Sequence, residues 1–169
     1  EDLKEEVGED NLELIDYKEI ELPPVSMPMD MNISAIAPRY RDKFKENKEK
    51  VKVYLEEHGL LDAPETKKLF ICMDGDCSNR LIFPIYFDGK LISWAARALF
   101  PTSTKYLYPP SDEDHNERGK IIYGLDKLFK SENVKQIFVT ESLVDSFVLG
   151  GMAVLSKNIT DDQITILKH

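Results

Sequence analysis

The run RLIFPIYFDGKLISWAARAL, residues 80–99, limits the fold more than any other stretch of this chain. Two apolar segments, 80–87 and 90–99, are separated only by Asp88-Gly89. Two residues cannot carry a crossover connection, so the segments must pair antiparallel as a hairpin, and Asp-Gly accepts the positive φ angles of such a turn. Upstream, LFICM at 69–73 and the turn-like DGDCSN at 74–79 predict another strand leading into the hairpin. Pro84 lacks a ladder donor, which assigns it to an edge or a bulge. One residue fits this unit badly: Arg97 interrupts a strand that is otherwise almost wholly apolar.

The flanks read differently. RDKFKENKEKVKVYLEEH, residues 41–58, predicts a helix with Phe44, Val51, Tyr54 and Leu55 on one face and a stop at Gly59. Its mixed charges describe a solvated outer face. Before it, residues 1–32 are acidic and then rich in proline and methionine, a linker-like composition, although IDYKEIEL at 15–22 has the pattern of an edge strand. After a polar loop, IIYGLDKLF at 121–129 reads as helix beyond Gly124.

The last third changes character. QIFV at 136–139 is wholly apolar, as in a strand covered on both faces. SLVDSFVLGG follows with Leu143, Val144, Phe147 and Val148 on one helical face, and MAVLS at 152–156 predicts the next buried strand. Thr160-Asp161-Asp162-Gln163 is a capping-box pattern opening a helix that carries Ile164, Ile166 and Leu167. Strand, helix, strand, helix implies a parallel pair, and two architectures in 169 residues imply two subdomains.

Charge bears on function only after it is divided along the chain. The net charge is −9, but residues 1–24 hold ten acids against two lysines, leaving 20 basic and 21 acidic residues beyond them. The acidity belongs to one end and does not exclude an anionic ligand for the rest. No apolar run approaches the roughly 18 residues that span a bilayer, and no signal-peptide pattern opens the chain. Two cysteines, Cys72 and Cys77, do not form a secreted disulfide framework, so a cytoplasmic protein without membrane contact is expected. The start at Glu1 and the stop at His169 after a helix-like run suggest a piece of a longer polypeptide.

Several residues invite chemistry. Glu141 falls at the C-terminal end of a predicted parallel strand, the edge where open α/β sheets bind ligands, and Asp145 follows one helical turn later. Such a pair suits a divalent cation with a phosphate; equally, Ser142 and Asp145 fit a helix N-cap with Glu141 as a solvated loop acid. Arg80, Arg97, Lys105 and Lys120 lie in or beside the β-unit. A crevice arginine is costly unless it meets an anion, and for Arg97 that anion is either a protein carboxylate or a phosphate. Cys72 and Cys77 lack the two further ligands of a zinc site, His58, His115 and His169 being scattered, and DGD at 74–76 reads as a turn.

In order, RLIFPIYFDGKLISWAARAL, TKYLYPPSDEDHNERGKIIYGLDKLFK and IFVTESLVDSFVLGG resemble the catalytic core of replicative DNA primases of bacteria and tailed phages. That family carries an R-x-x-x-P-I hairpin, a G/A-R pair, K-Y-L-x-x-P, Y-G-L, and the E-G-x-x-D that ends the first strand of a Toprim domain. The likeness covers about residues 46–167, and LSKNITDDQ gives it a phage-like form. It implies an α/β chain: a linker-like segment (1–32), an α+β N-terminal subdomain with an antiparallel hairpin (33–130), and the first β-α-β-α part of a Toprim domain with parallel strands (131–169).

The resemblance implies primer synthesis on single-stranded DNA from ribonucleoside triphosphates. Glu141 would be the catalytic and metal-holding glutamate, for Mg²⁺ or Mn²⁺, and Asp145 the second acid. Arg80, Arg97 and Lys105 would line the groove for template and nucleotide, while Tyr106 packs. It further implies a replicative helicase as partner, no zinc in this chain, and the host cytoplasm as location for a phage protein. Two departures stand out: Ser142 replaces the motif's glycine, and the family's later D-x-D carboxylates would fall beyond His169. The fragment alone is therefore expected to be inactive. A catalytically silent module that binds nucleic acid or helicase, and a Toprim nuclease or topoisomerase-like protein, are the alternatives.

Overall fold

A computed structural model of the chain describes residues 15–130 and 135–168. Five antiparallel strands form the main sheet in sequence order: β1 (Ser26–Pro28), β2 (Phe70–Cys72), β3 (Arg80–Phe87), β4 (Lys90–Ala98) and β5 (Tyr106–Leu107). The β3–β4 hairpin closes as expected. Asp88 and Gly89 both have positive φ, 47° and 77°, so the turn twists with its strands. Pro84 lies where β3 runs past its pairing with β2, which ends at Ile82, and a bulge follows between Ile85 and Tyr86.

Helix α1 (Pro38–Glu57) opens on proline, whose missing N–H costs nothing in the first turn. It begins three residues before the predicted start. Tyr40, Phe44, Asn47, Val51 and Leu55 form its buried stripe against one side of the sheet. The other side carries a smaller cluster of Ile20, Cys72, Cys77, Ile82, Leu91, Trp94 and Ala96. Both cysteines are free thiols there, and the 74–79 segment is the turn between antiparallel strands that its composition predicts.

Residues 15–22 do not form the expected edge strand. Their backbone follows an irregular path held by two specific anchors: Ile20 N–H donates to Leu91 C=O at 2.8 Å, and the Asn116 amide bridges Lys18 C=O and Ile92 C=O. A side-chain amide does the work of a ladder, which leaves the segment without strand pairing. Tyr17 and Ile20 are buried, and β1 lies within the stretch expected to be linker-like, so residues 15–32 pack on the sheet. Residues 1–14, which carry most of the acidic segment, lie outside the described region, as does His169.

The chain then enters α2 (Leu125–Phe129), β6 (Val139–Thr140), α3 (Leu143–Leu149), β7 (Met152–Ala153) and α4 (Asp161–Lys168). β6 and β7 pair parallel across α3, giving the expected β-α-β-α order. Gly151 is forced by this approach: a Cβ there would sit 2.3 Å from the Phe138 carbonyl oxygen. Thr160 and Gln163 form the predicted capping box reciprocally, each backbone N–H donating to the other's side chain at 3.1 Å.

Two expectations for this part need correction. The strand is Val139–Thr140 rather than 136–139, and it is not covered on both faces; Phe138 is 50% and Val139 43% exposed. β6 is the outer member of its sheet, with β7 its sole strand partner among the described residues. On α3, Val148 is 58% exposed and Ser146 takes the inward place instead, its hydroxyl donating to Leu143 C=O at 2.7 Å. The two parts share one apolar core, in which Phe147 of α3 lies 5.8 Å from Phe83 and 5.2 Å from Tyr123 between ring centroids. No helix of the described residues is long and apolar enough to cross a membrane.

Candidate nucleic-acid interface

Arg97 and Tyr106 are cross-strand partners on β4 and β5, so their side chains leave the same side of the sheet. Tyr54 comes down onto that side from α1. The Arg97 guanidinium lies 5.3 Å from the Tyr54 ring centre and 5.1 Å from that of Tyr106. Tyr108, two residues beyond Tyr106 and so on the same side, stacks on it at 6.3 Å and 22°. Arg118 then covers Tyr108 at 4.8 Å. The result is a row of rings and guanidinium groups: Tyr54, Arg97, Tyr106, Tyr108, Arg118.

Cation–π contacts hold the Arg97 plane in place at about 0.5–2 kcal/mol each but leave its N–H donors unsatisfied. Among the described residues Arg97 has no carboxylate partner, and its Nε is buried without any acceptor. Burial pushes the Tyr54 phenol well above its ordinary range; Tyr106 adds to the rise, Arg97 opposes it, and Asp145 adds a little more. Tyr54 therefore stands within the field of both the arginine and the acid of α3.

The acids are set by the β6–α3 turn. Thr140 Oγ1 lies 2.8 Å from Ser142 C=O within that turn and 3.1 Å from Met152 C=O on β7, tying the turn to the neighbouring strand. Ser142 caps α3: Asp145 N–H donates to Ser142 Oγ at 3.1 Å, and Ser142 Oγ–H donates to an Asp145 carboxylate oxygen at 2.7 Å. Ser142 thus makes a working N-cap. Glu141 projects from this turn, exposed and with no protein partner. One hydrogen bond engages Asp145; Glu141 is fully available.

The predicted basic residues separate. Arg97 joins the row. Lys105 is exposed just before β5, with no partner for its ammonium group. Arg80 goes to the opposite side of the sheet, because its neighbour Leu81 is the residue that pairs with Arg97 and successive side chains alternate. There Arg80 is 5% exposed, stacks under Phe100 at 5.4 Å, and donates from one nitrogen to the carbonyls of Ala96, Thr104 and Lys105 at 3.3, 3.1 and 3.4 Å. It braces the 99–105 loop from behind. Lys120 pairs with Glu117 at 3.0 Å.

Sequence reasoning missed Tyr54, Tyr108 and Arg118. Tyr54 was legible as a helix-face residue, since it lies on the stripe of Val51 and Leu55, but nothing local says that its partner is a cation. Tyr108 carries a clearer signal: K-Y-L-Y alternates, so both tyrosines share one side if the segment is extended.

No family model and no curated protein matches the sequence. Among solved structures, the E. coli primase catalytic core is 21% identical, with a TM-score of 0.51 over 83% of this chain and 54% of that one. The DnaG primase catalytic domain bound to single-stranded DNA is 21% identical, with a TM-score of 0.48 over 83% and 55%. The Aquifex aeolicus primase, zinc-binding and RNA polymerase domains, is 23% identical, with a TM-score of 0.46 over 80% and 38%. The chain spans about half the length of the first two of these. At these identities the likeness is one of fold: the described residues have the fold of part of a primase catalytic core.

Proposed function

We propose that this chain belongs to a DNA primase, grips single-stranded DNA and ribonucleoside triphosphates, and takes part in metal-dependent synthesis of short RNA primers in the cytoplasm. The observation that carries this reading is Arg97: a guanidinium between two tyrosine rings with an unpartnered buried Nε and no carboxylate within ion-pair distance among the described residues. A phosphate oxygen satisfies such a donor set, and the flanking tyrosines suit the faces of unpaired bases.

Primer extension joins a ribose 3′-oxygen to an α-phosphorus and releases pyrophosphate. Negative charge gathers on the phosphoryl oxygens as the bond forms. Arg97 and Lys105 would hold phosphates by charge, a grip that weakens with salt. Glu141, on the turn that the Thr140 and Ser142 hydrogen bonds brace, would hold Mg²⁺ or Mn²⁺, with Asp145 one helical turn away. The donor set fits, because Mg²⁺ accepts one or two protein carboxylates and fills its remaining places with water and phosphate oxygens. When bound, the ion would neutralise charge developing on the reacting phosphate.

The deciding experiment is Glu141→Gln in the full-length protein. Primer synthesis on single-stranded DNA with all four ribonucleotides is expected to vanish, while template binding stays within about twofold because the base-stacking row is untouched. Wild-type synthesis by this variant removes Glu141 from the mechanism. A second reading, a silent module that binds nucleic acid or helicase, is favoured by one observation: among the described residues no group of three His, Cys, Asp or Glu side chains comes together to hold an ion. Only the enzyme reading yields short RNA products.

A further inference from the structure

The side of the sheet opposite Arg97 holds a cavity of about 580 Å³ that the nucleotide chemistry does not use. Its walls are Pro23, Pro24 and Leu107, Trp94 of β4 contributes to its lining, and Tyr108, the ring next to Arg118 in the row, borders it as well. Glu21, Asp74 and Asp76 add three carboxylates, and no lysine or arginine lines the space. The nearest buried cation, Arg80, has its Nη1 occupied by three backbone carbonyls. Phosphate is therefore repelled here, and the two sides of one sheet differ in the charge they accept.

Three further observations describe the occupant. Trp94 is 7% exposed and its indole N–H donates to no protein acceptor among the described residues; the nitrogen itself is not enclosed, so this donor is open to a ligand in the cavity that Trp94 lines. Glu21 and Asp76 are exposed and have no ion-pair partner among the described residues. Asp74, by contrast, accepts a hydrogen bond from Tyr40 at 2.8 Å, so it belongs to the wall. A carbonyl-bearing chain answers the indole donor, an aliphatic or proline residue answers the apolar walls, and a cation answers the free acids.

We propose that this cavity is a docking site for a short peptide segment of a protein partner, with an arginine or lysine beside apolar residues. The aliphatic stem would lie over Trp94 and the charged head would meet Glu21 and Asp76. This holds whether or not the chain makes primers, because no residue proposed to hold the metal or a phosphate contributes to it and only Tyr108 is shared with the ring row.

Trp94 is the sole tryptophan of the chain, so its fluorescence reports on this site directly. The probes are two capped peptides, acetyl-Pro-Leu-Arg-Pro-amide and the same peptide with glutamate for arginine. The arginine peptide is expected to change the emission saturably, and the glutamate peptide to bind at least about tenfold more weakly. Glu21→Gln with Asp76→Asn should weaken the arginine peptide about five- to tenfold with an unchanged circular-dichroism spectrum. Absence of a saturable change, equal binding of both peptides, or displacement of the arginine peptide by a single-stranded oligonucleotide in the Arg97→Ala background overturns the proposal.

Discussion

Arg80 and Arg97 stand on adjacent strands, one register step apart, and meet opposite fates. Arg80 is enclosed, its Nη1 committed to three carbonyls of its own chain. Arg97 is half-buried between two tyrosine rings and donates to nothing among the described residues. Both leave a buried Nε unpartnered, so that feature alone does not mark a site. What separates them is the rest of the guanidinium: Arg80 Nη1 is bonded to its own chain, whereas Arg97 has no hydrogen-bond partner among the described residues. Arg80 braces its own loop, while Arg97, between two tyrosine rings, keeps its donors for the anion proposed above. The two sides of the sheet inherit this contrast, one with Arg118 over the end of the row, the other with carboxylates around an apolar cavity.

The widest test of the comparison is Arg80→Ala. It removes a donor shared by three carbonyls and empties the space under Phe100, so about 3 kcal/mol of stability is expected to disappear in urea unfolding. A loss below about 1 kcal/mol would mean that the 99–105 loop does not depend on this brace.

Arg97→Ala should do the reverse. Stability changes by less than about 1 kcal/mol, because only stacking is lost. Affinity for single-stranded DNA falls about tenfold, with a salt dependence shallower by about one unit of slope. Unchanged binding across a salt titration would make Arg97 a packing residue like its neighbour.

The finest test concerns the dryness of the outer side. Burial pushes the Cys77 thiol from an ordinary 9.0 up to about 11, and Cys72 is raised by the same cause. Both should therefore resist alkylation at pH 8 and react once the chain unfolds. The same shift sets a pH window. A thiol harder to ionise when folded favours the native state fully below pH 9.0, and that contribution fades as pH rises to about 11. Rapid native-state alkylation at pH 8 would show that water reaches the cluster.

Much of this was legible in the residues. Asp88-Gly89 wrote the hairpin, because only certain residues accept two successive positive φ angles. The α1 stripe and the Thr160–Gln163 box follow from helical periodicity and unpaired N–H groups, both local matters. At the site, Glu141 and Asp145 were readable as a turn acid and its partner one helical turn on. Their neighbour Tyr54 was not, because it arrives from a helix some ninety residues earlier. The exposure of Val139 was also hidden: an apolar residue reads the same whether its strand is central or outermost.

Local pattern alone determined the β3–β4 hairpin, helix α1, the Thr160–Gln163 cap and the antiparallel and parallel character of the two sheets, since φ preferences and side-chain periods act within a few residues; the short strands β1 and β5 and the bounds of β6 were not among them. Only the tertiary structure decided which way the arginines face. Counting outward from Asp88-Gly89 in strict alternation would put Arg97 on the side of Leu91, in the cluster with Trp94 and Cys72. The bulge at Ile92, where Ile85 pairs with Ser93 and Tyr86 with Leu91, inserts one residue and reverses that parity. One extra residue turns Arg97 toward Tyr54 and Tyr106, and such a bulge is set by the packing of both sides at once, which no single strand encodes.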